Sequence, residues 1–213
     1  MKRAIYFILL LLIITTSCKK SASAPTVVYQ DDLYVNENSW NLDSTSAYNK
    51  GFYKDHYSIN VDTSGEMIVS MAPYGSINYP YSVQVDGTMQ LINANQTGNI
   101  GFLFNYVDAK DFSLLQIFSN GTYAIWAMKS GTYSCIVSST VSSAIQSGSG
   151  AKNTIKIIQG QSSMQLVINN TIIGNYPITF PGSYIQVGIY ASDNTPNVYP
   201  FIGLFNNFIM ARV

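Results

Sequence analysis

The 213-residue chain contains few charged residues: lysine and arginine together number 11, aspartate and glutamate number 11, and the formal net charge is zero. A protein that binds nucleic acid needs a cluster of basic side chains, and none occurs here, so this class of function is disfavoured. Glutamate occurs only as Glu37 and Glu66, and both lie beside predicted turns. The sequence is therefore poor in the paired carboxylates that glycosidic hydrolysis uses.

Cysteine and histidine are also scarce, with Cys18, Cys135 and His56 as the only residues of either type. These three residues do not form the Cys/His pattern of a zinc site. Cys135 lies in an alternating segment, which predicts that it is a small buried hydrophobic residue. A reactive cysteine would need His56 close to it in the fold, and the sequence leaves that alternative open.

The unbroken apolar run from Ala4 to Ile14 is too short for a membrane-spanning helix, which needs about 20 residues. It follows two basic residues and ends in small residues before Cys18, which predicts an export signal over residues 1–17. The small residues before Cys18 resemble a bacterial lipobox. This resemblance implies cleavage before Cys18 and acylation of its thiol and of its new amino group, and two or more acyl chains anchor a protein stably.

The expected location is the bacterial cell envelope, on the periplasmic side or at the cell surface, with membrane contact through the lipid anchor only. Residues 18–25 then form the acylated cysteine and a short polar tether. The alternative is an ordinary secretory signal in which Cys18 has no special role. Residues 26–213 are long enough for one well-buried domain, and we expect a single domain there.

Helical periodicity with caps is lacking throughout, and short alternating segments separated by turn residues fill the chain instead. The stretch Gly98–Trp126 predicts three strands joined by turns at 108–111 and at Asn120-Gly121. Its middle strand, Phe112–Phe118, is apolar at enough positions to be buried on both faces. Many short strands of this kind predict an all-β sandwich or barrel.

Two further interruptions of strand structure are predicted before this stretch. Asn49-Lys50-Gly51 reads as the turn of a hairpin, and Asp86-Gly87 reads as the end of one strand before the next begins at Thr88. Trp40, in a polar loop near the start of the domain, is predicted to be a structural plug.

Several segments occur in an order that is shared with a known family: Asp31–Trp40, Gly51–Tyr53, Gly98–Phe104, Asp111-Phe112, Ser119–Tyr123, Asn153–Ile157, Met164–Asn170 and Phe205–Met210. Together they resemble concanavalin A-like lectin and glucanase domains, especially laminin-G-like bacterial ones. The resemblance implies an all-β jelly-roll sandwich of two antiparallel sheets, one of them concave. In many members the concave face or its rim binds carbohydrate, although a fold does not by itself establish a function.

Glucanases of this fold typically carry Glu-x-Asp-x-x-Glu on one strand, and this sequence lacks that motif. Asp62 and Glu66 bracket a predicted turn, where both carboxylates are expected to be solvated. Laminin-G-like domains can hold calcium, and Asp108 and Asp111 lie close together in another predicted turn. Calcium needs six to eight oxygen ligands, so we expect no cofactor, with calcium at these two aspartates as the weaker alternative.

A carbohydrate site on this fold would place the apolar face of a sugar ring on an aromatic side chain and its hydroxyls on amides or carboxylates. Trp126 faces outward if Tyr123 and Ile125, which alternate with it, face the core. Three tyrosines lie beside loops or at strand ends, where binding residues are common. The candidate carbohydrate-binding residues are Tyr79, Tyr81, Trp126 and Tyr190.

The sequence therefore predicts a lipid-anchored, extracytoplasmic domain that recognises a glycan without catalysis. The first alternative is a glycoside hydrolase of the same fold with a different set of catalytic residues. The second is a structural or adhesive envelope protein that binds a protein partner through a flat apolar patch.

Overall fold

The structure is a computed structural model that describes residues 24–178, 185–196, 198 and 200–213. The predicted signal segment and Cys18 lie outside the described residues. Within the described part of the chain every regular element is a β-strand, and no helix there is long and apolar enough to cross a membrane. In chain order the strands are β1 Thr26–Asp31, β2 Asp43–Ser44, β3 Tyr48–Phe52, β4 Tyr57–Val61, β5 Met67–Met71, β6 Tyr81–Gln90, β7 Gly98–Asp108, β8 Asp111–Phe118, β9 Thr122–Lys129, β10 Thr132–Val141, β11 Lys152–Gln159, β12 Met164–Ile168, β13 Thr171–Tyr176, β14 Gln186–Asp193 and β15 Phe201–Arg212.

The strands form two antiparallel sheets. The nine-stranded sheet has the order β13-β12-β11-β6-β15-β4-β3-β2, and β1 joins it by pairing with β15. The six-stranded sheet has the order β10-β9-β8-β7-β14-β5. The predicted fold class, an all-β jelly-roll sandwich of two antiparallel sheets, is confirmed.

Alternating apolar residues direct one side of each sheet into a common core. On β11, Ile155 and Ile157 are fully buried, as is Leu166 on the neighbouring strand β12. In the central stretch both predicted turns are present, and Gly121 has the positive φ that its turn needs. The prediction that β8 is buried on both faces is also confirmed, because its buried residues face alternately into the core and out of the sandwich.

Two predicted interruptions of strands are absent from the structure, because the strands continue through them. Asn49-Lys50-Gly51 lies within strand β3, and the turn that follows is formed by Lys54-Asp55 instead. Strand β6 runs without interruption through Asp86-Gly87. Gly87 serves close packing rather than a turn, because a Cβ atom there would lie 2.5 Å from Cδ1 of Ile100.

The closing strand β15 contains a bulge that decides what the strand buries. Phe205 and Phe208 are three positions apart, so regular alternation would place them on opposite faces of the sheet. The register with β6 shifts between Asn206 and Ile209, and Asn207 has a left-handed conformation with a φ of 52°. Because of this irregularity, both phenylalanines are fully buried.

Asp86 on β6 holds this bulge in place. Its carboxylate accepts hydrogen bonds from Asn207 Nδ2 at 2.8 Å and from Thr154 Oγ1 at 2.6 Å, and it forms an ion pair with Lys152 Nζ at 2.8 Å. Burial alone would raise the pKa of this carboxyl, but the lysine, threonine and asparagine donors outweigh burial and hold its pKa below the ordinary value of 3.8.

Trp40 is buried as predicted, with 1% of its surface exposed. Its ring contacts those of Tyr57 and Phe208, with centroid separations of 5.4 and 5.2 Å. The indole Nε1 donates a hydrogen bond to Asp31 Oδ2 at 2.9 Å. The indole therefore closes the core beside the bulged strand, which confirms the prediction of a structural plug.

Cys135 is exposed, so the prediction that it is a buried hydrophobic residue is wrong. It lies on β10, the last strand of the six-stranded sheet, which has a partner strand on only one side among the described residues. Cys135 lies directly opposite Trp126, so its side chain points to the outer face of the sheet rather than into the core. His56 lies in the hairpin turn between β3 and β4 of the other sheet, so the two residues do not form one site.

The depressed pKa of Asp86 predicts how the fold responds to acid. A carboxyl whose pKa is lower in the folded than in the unfolded state stabilises the fold above the unfolded pKa, and this contribution is lost as the pH falls through the folded pKa. We therefore expect the free energy of unfolding, measured in urea, to fall less steeply between about pH 5 and pH 2 in Asp86→Asn than in the wild type. Asp62→Asn, in an exposed turn, is the control and should follow the wild-type curve; equal slopes for all three proteins would contradict the assignment.

Candidate functional site

The outer face of the six-stranded sheet is strongly apolar. Ten side chains there form a cluster separate from the main core, which we call the apolar face: Met67, Val69, Met71, Leu103, Tyr106, Phe112, Leu114, Trp126, Met128 and Tyr190. The charged residues of these six strands all lie at strand ends: Asp108, Asp111, Lys129 and Asp193. The apolar face itself therefore carries no charge.

A depression of about 280 Å³ lies on the apolar face and is lined by Met67, Val69, Met71, Leu103, Tyr106, Ala109 and Phe112. Among these side chains only the hydroxyl of Tyr106 is a strong hydrogen-bonding group. A sugar placed there would find apolar contacts for its ring but few partners for its hydroxyl groups.

Trp126 lies on this face and is partly buried. Tyr123 and Ile125 face the core, which leaves Trp126 directed outward, in the orientation required for the predicted site. Its neighbours on the adjacent strands are Cys135 and Leu114. Neither of these directly opposite residues is an amide or a carboxylate. The amide of Gln116 is on the same outer face, opposite Ala124, where its Nε2 donates to Asn99 Oδ1 at 3.4 Å.

Tyr190 is on the same face, but it has no exposed surface. Its hydroxyl lies 2.7 Å from Oδ1 of Asn99 and 3.2 Å from the carbonyl oxygen of Leu115. Gly101 lies against the ring, and a Cβ atom there would come within 3.2 Å of it. Burial raises the pKa of this hydroxyl. Because neither side of the ring is open to a ligand, we assign Tyr190 a packing role.

Tyr79 and Tyr81 form a buried polar cluster with Asn105, which has a left-handed conformation with a φ of 53°. Both tyrosine hydroxyls donate to Asn105 Oδ1, at 3.1 and 2.8 Å. Asn105 Nδ2 donates to Gln159 Oε1 at 3.4 Å. Tyr81 has no exposed surface and Tyr79 is partly buried. The cluster links the two sheets at one end of the sandwich, so the structure gives both tyrosines a structural role.

The outer face of the nine-stranded sheet is polar and contains a depression of about 310 Å³, which we call the amide pocket. It is lined by Asn49, Gly51, Phe52, Tyr53, Ser58, Asn60, Gln90 and Ile202. The lining includes three side-chain amides, the hydroxyl of Ser58 and the aromatic ring of Tyr53, and it includes no ionisable acid or base other than the phenol of Tyr53. The ring of Phe52 packs against the core, with its centroid 5.2 Å from that of Tyr57.

The register of four neighbouring strands places the three amides in one row. Asn49 on β3 is opposite Asn60 on β4, Asn60 is opposite Ile202 on β15, and Ile202 is opposite Gln90 on β6. Residues directly opposite each other point to the same face, and strands are about 4.8 Å apart. Asn60 and Gln90 therefore flank the aliphatic side chain of Ile202 at a separation of roughly 10 Å.

Asn49 and Gln90 are exposed, and Asn60 is partly exposed. Ser58 in the pocket donates to the carbonyl oxygen of Gly51 at 3.1 Å. A side-chain amide offers two N–H donors and one carbonyl acceptor, which matches the mixed donor and acceptor character of sugar hydroxyls.

Tyr53 forms a wall of the amide pocket and is 55% exposed. It stands at the start of a tight hairpin turn in which Lys54 and Asp55 both have positive φ, 45° and 62°. The Lys54 ammonium lies 5.0 Å from the centre of the Tyr53 ring. Asp55, the next residue of the turn, carries the opposite charge.

A third depression, of about 410 Å³, lies at the end of the sandwich and is lined by Leu91, Asn93, Ala94, Gln96, Thr97, Ser119, Asn120, Gly148 and Ser149. It contains polar side chains but no aromatic ring. Gln96 is already engaged, since its Nε2 donates to Asp193 Oδ2 at 2.8 Å. Of these three depressions, the amide pocket is the one in which exposed amides and an exposed aromatic ring occur together.

The acidic residues considered from the sequence lie apart from this pocket. Asp62 and Glu66 are exposed in the loop between β4 and β5, in agreement with the expectation of solvated carboxylates. Asp108 and Asp111 are paired across the β7–β8 turn, where each accepts a hydrogen bond from a backbone N–H. The described residues contain no group of three or more His, Cys, Asp and Glu that could hold a metal ion.

Sequence reasoning missed Asn49, Asn60 and Gln90. Asn49 was assigned to a turn, and Gln90 is far from both asparagines in the chain. The available signal was weak: polar residues alternate with buried ones on β4 and β6, which indicates that one face of each strand is solvated. Only the strand order brings these polar positions together.

No protein-family model matches the chain, and no curated protein matches it in sequence. Among solved structures, the carbohydrate-binding module CBM66 from Bacillus subtilis is similar, with a TM-score of 0.59 and 14% identity over 84% of this chain and 99% of that one. A GlcNAcα1-4Gal-releasing endo-β-galactosidase from Clostridium perfringens matches with a TM-score of 0.62 and 10% identity over 88% and 62% of the two chains. A Bacillus subtilis protein with a galectin-like fold matches with a TM-score of 0.57 and 10% identity over 88% and 96%.

These similarities show a shared fold, the two-sheet jelly roll. At 10–14% identity they carry no residue-level argument.

The structural role of the Asn105 cluster can be tested directly. Asn105→Gly keeps the left-handed backbone but removes the amide that pairs with both tyrosine hydroxyls. Leaving a buried hydroxyl unpaired costs about 1–3 kcal/mol, so we expect the free energy of unfolding in urea to fall by about this amount. Asn175→Gly, at an exposed position on β13, is the control; a loss in Asn105→Gly no larger than in this control would show that the cluster does not stabilise the sandwich.

Proposed function

We propose that this protein is a lipid-anchored, extracytoplasmic glycan-recognition domain that binds an uncharged sugar in the amide pocket and does not catalyse a reaction. The observation that carries the proposal is the row Asn49, Asn60, Ile202 and Gln90 beside the exposed ring of Tyr53. The two similar solved structures, the carbohydrate-binding module and the galectin-like protein, support the proposal at the level of the fold only.

The pocket and a sugar both combine apolar groups with hydrogen-bonding groups. A pyranose has apolar C–H groups on its ring faces and hydroxyls around its edge. Ile202 and Tyr53 offer apolar and aromatic surface to a ring face, while Asn60 and Gln90 stand on either side to exchange hydrogen bonds with the hydroxyls. The absence of charge in the lining favours a neutral sugar, because a buried carboxylate or sulfate would lack a cationic partner inside the pocket.

The position of the pocket suits a protein that is held at its N-terminus. Thr26, where the first strand begins, pairs with Arg212 at one end of β15, whereas the amide pocket contains Ile202 at the other end. Ten residues of extended strand span roughly 30 Å. A domain tethered through residues 18–25 can therefore present the pocket away from the membrane.

Catalysis is not part of the proposal, because the pocket lining contains no carboxylic acid to act as nucleophile, acid or base. Calcium at Asp108 and Asp111 is likewise not part of it. The laminin-G-like subtype and the cell-envelope location stay predictions.

Glycan-array binding of the fragment Ser21–Val213 tests the site. All the described strands lie between Thr26 and Arg212, so the fragment retains both sheets. We expect binding to neutral glycans, weakened about tenfold or more in Tyr53→Ala and about threefold to tenfold in Asn60→Ala and Gln90→Ala.

Two matched variants serve as controls for this experiment. Tyr133→Ala removes a tyrosine that is also 55% exposed, but on the other sheet, and Gln165→Ala removes an amide from the same outer face away from the pocket. Both should bind as the wild type does. Binding that survives Tyr53→Ala but is lost in Trp126→Ala would place the site on the apolar face and overturn the proposed pocket.

Lipid anchoring is tested by metabolic labelling of the full chain with a radioactive fatty acid in a bacterial host. We expect label in the wild type and in Cys135→Ser, and loss of both the label and the membrane-fraction signal in Cys18→Ser. Unlabelled wild-type protein that is released in soluble form would instead support an ordinary secretory signal.

A further inference from the structure

The depression of about 410 Å³ at the end of the sandwich, which we call the end depression, resembles the amide pocket in chemistry. As the structure describes it, its lining carries no charged side chain, and its polar members are three amides and three hydroxyls: Asn93, Gln96, Thr97, Ser119, Asn120 and Ser149. By contrast, the depression on the apolar face has one hydroxyl, and a further depression contains the acids Asp31, Asp32 and Glu37. The amide pocket and the end depression therefore suit the same class of ligand, one that is uncharged and rich in hydroxyls.

These two depressions adjoin each other where β6 ends. Gln90, the last residue of β6, lines the amide pocket, and Leu91, the next residue, lines the end depression. Ser149 of the end depression is fixed at this point, because its Oγ accepts a hydrogen bond from Leu91 N–H at 2.9 Å and lies 3.3 Å from the carbonyl oxygen of Leu91. Two consecutive residues therefore join the linings of the two depressions.

The strand register gives the length of the combined surface. The row of the amide pocket runs across four neighbouring strands from Asn49 to Gln90. On the other side of β6, Gly150 donates its N–H to the carbonyl oxygen of Met89 at 2.8 Å, which places the backbone of the end depression one strand further on. Four spacings of about 4.8 Å span roughly 19 Å. A single sugar ring is much shorter than this.

An exposed isoleucine lies beside the boundary between the depressions. Ile92 directly follows Leu91, and 53% of its surface is exposed. Its backbone N–H donates to Oε1 of Gln96 at 2.9 Å, and Gln96 is almost completely buried, so the position of Ile92 is fixed from beneath. Ile92 offers apolar surface to a sugar ring, as Ile202 does within the amide pocket. Apolar and hydrogen-bonding groups therefore continue from one depression into the other.

We propose that the amide pocket and the end depression are subsites of one site, and that its ligand is a neutral chain of several sugar units rather than a single sugar. This inference rests on the proposed glycan site. One unit lies against Ile202 and Tyr53, the chain crosses Ile92, and a later unit enters the end depression. There the exposed side chain of Asn120 contacts its hydroxyls. Oδ1 of Asn120 accepts the backbone N–H of Thr122 at 3.1 Å, which orients this side chain.

Isothermal titration calorimetry of the fragment Ser21–Val213 tests the length of the ligand. The probes are uncharged linear series of glucose, galactose, mannose and xylose, each from a single sugar to a chain of about four units. In the series that binds, we expect the longest chain to bind at least tenfold more tightly than the single sugar, because it adds hydrogen bonds and apolar contacts in the end depression. Equal affinity for both would overturn this inference and leave the proposed glycan site intact. Failure of every series to bind would overturn both.

Two variants test the direction in which the chain leaves the amide pocket. Asn120→Asp keeps an oxygen that accepts the N–H of Thr122 but removes the amide donor, and Ile92→Ser removes the apolar surface at the boundary. Each should weaken binding of the longest chain about threefold to tenfold and leave binding of the single sugar unchanged. Unchanged binding of the single sugar also shows that the variant is folded.

The matched controls carry the same substitutions on β13, away from both depressions. Asn175→Asp and Ile172→Ser change exposed residues there, and both should bind every chain length as the wild type does. Tyr53→Ala, in the amide pocket, should weaken binding of every length. A preference for long chains that persists in both Asn120→Asp and Ile92→Ser would overturn the inference, because the chain would then leave the amide pocket in another direction.

Discussion

The sandwich depends on how β15 crosses the centre of the nine-stranded sheet. This strand pairs with β1, β4 and β6, and its bulge at Asn207 allows both Phe205 and Phe208 to enter the core. Phe208 then meets the ring of Trp40, which closes the core. The carboxylate of Asp86 fixes the bulge by accepting a hydrogen bond from Asn207. Regular alternation would expose one of the two phenylalanines, and that would cost about 1.5–3 kcal/mol of hydrophobic stabilisation.

The same strand connects the core to the proposed site. The first part of β15 carries Ile202 on its outer side, between Asn60 and Gln90, while Phe201 and Phe205 anchor the strand from the inside. The floor of the amide pocket is therefore held by a rigid strand rather than by a loop, which favours binding by limiting the conformational entropy that is lost. The six-stranded sheet has the opposite outer surface, apolar and uncharged.

Much of the fold could be predicted from the sequence because its signals are local. Period-2 alternation, Asn120-Gly121 and the isolated Trp40 correctly predicted strands, a hairpin and a plug. The errors arose where the deciding interaction is not local. Gly87 was interpreted as a turn residue, but its side-chain position is filled by Ile100 from the other sheet. Cys135 alternates as core residues do, but its position opposite Trp126 places it on the outer face of the sheet.

The proposed glycan site could not be predicted for a related reason. Aromatic residues near loops were chosen, but Tyr81 and Tyr190 are fully buried. Tyr81 faces the core, whereas Tyr190 is covered by its neighbours on the outer face, so closeness to a loop does not decide exposure. The amides of the pocket come from β3, β4 and β6, and the strand order rather than chain proximity places them in one row. A single sequence does not specify this order.

The central claim is that the side-chain amides of Asn49, Asn60 and Gln90 contact a neutral sugar. The most direct measurement is a two-dimensional ¹H–¹⁵N NMR titration of the isotopically labelled fragment Ser21–Val213 with a neutral oligosaccharide that the array identifies as a ligand. The account predicts that the side-chain NH₂ signals of these three residues shift with a common dissociation constant, while those of Gln116 and Gln165 stay in place. Shifts confined to Gln116 and the indole N–H of Trp126 would contradict it and would move the site to the apolar face.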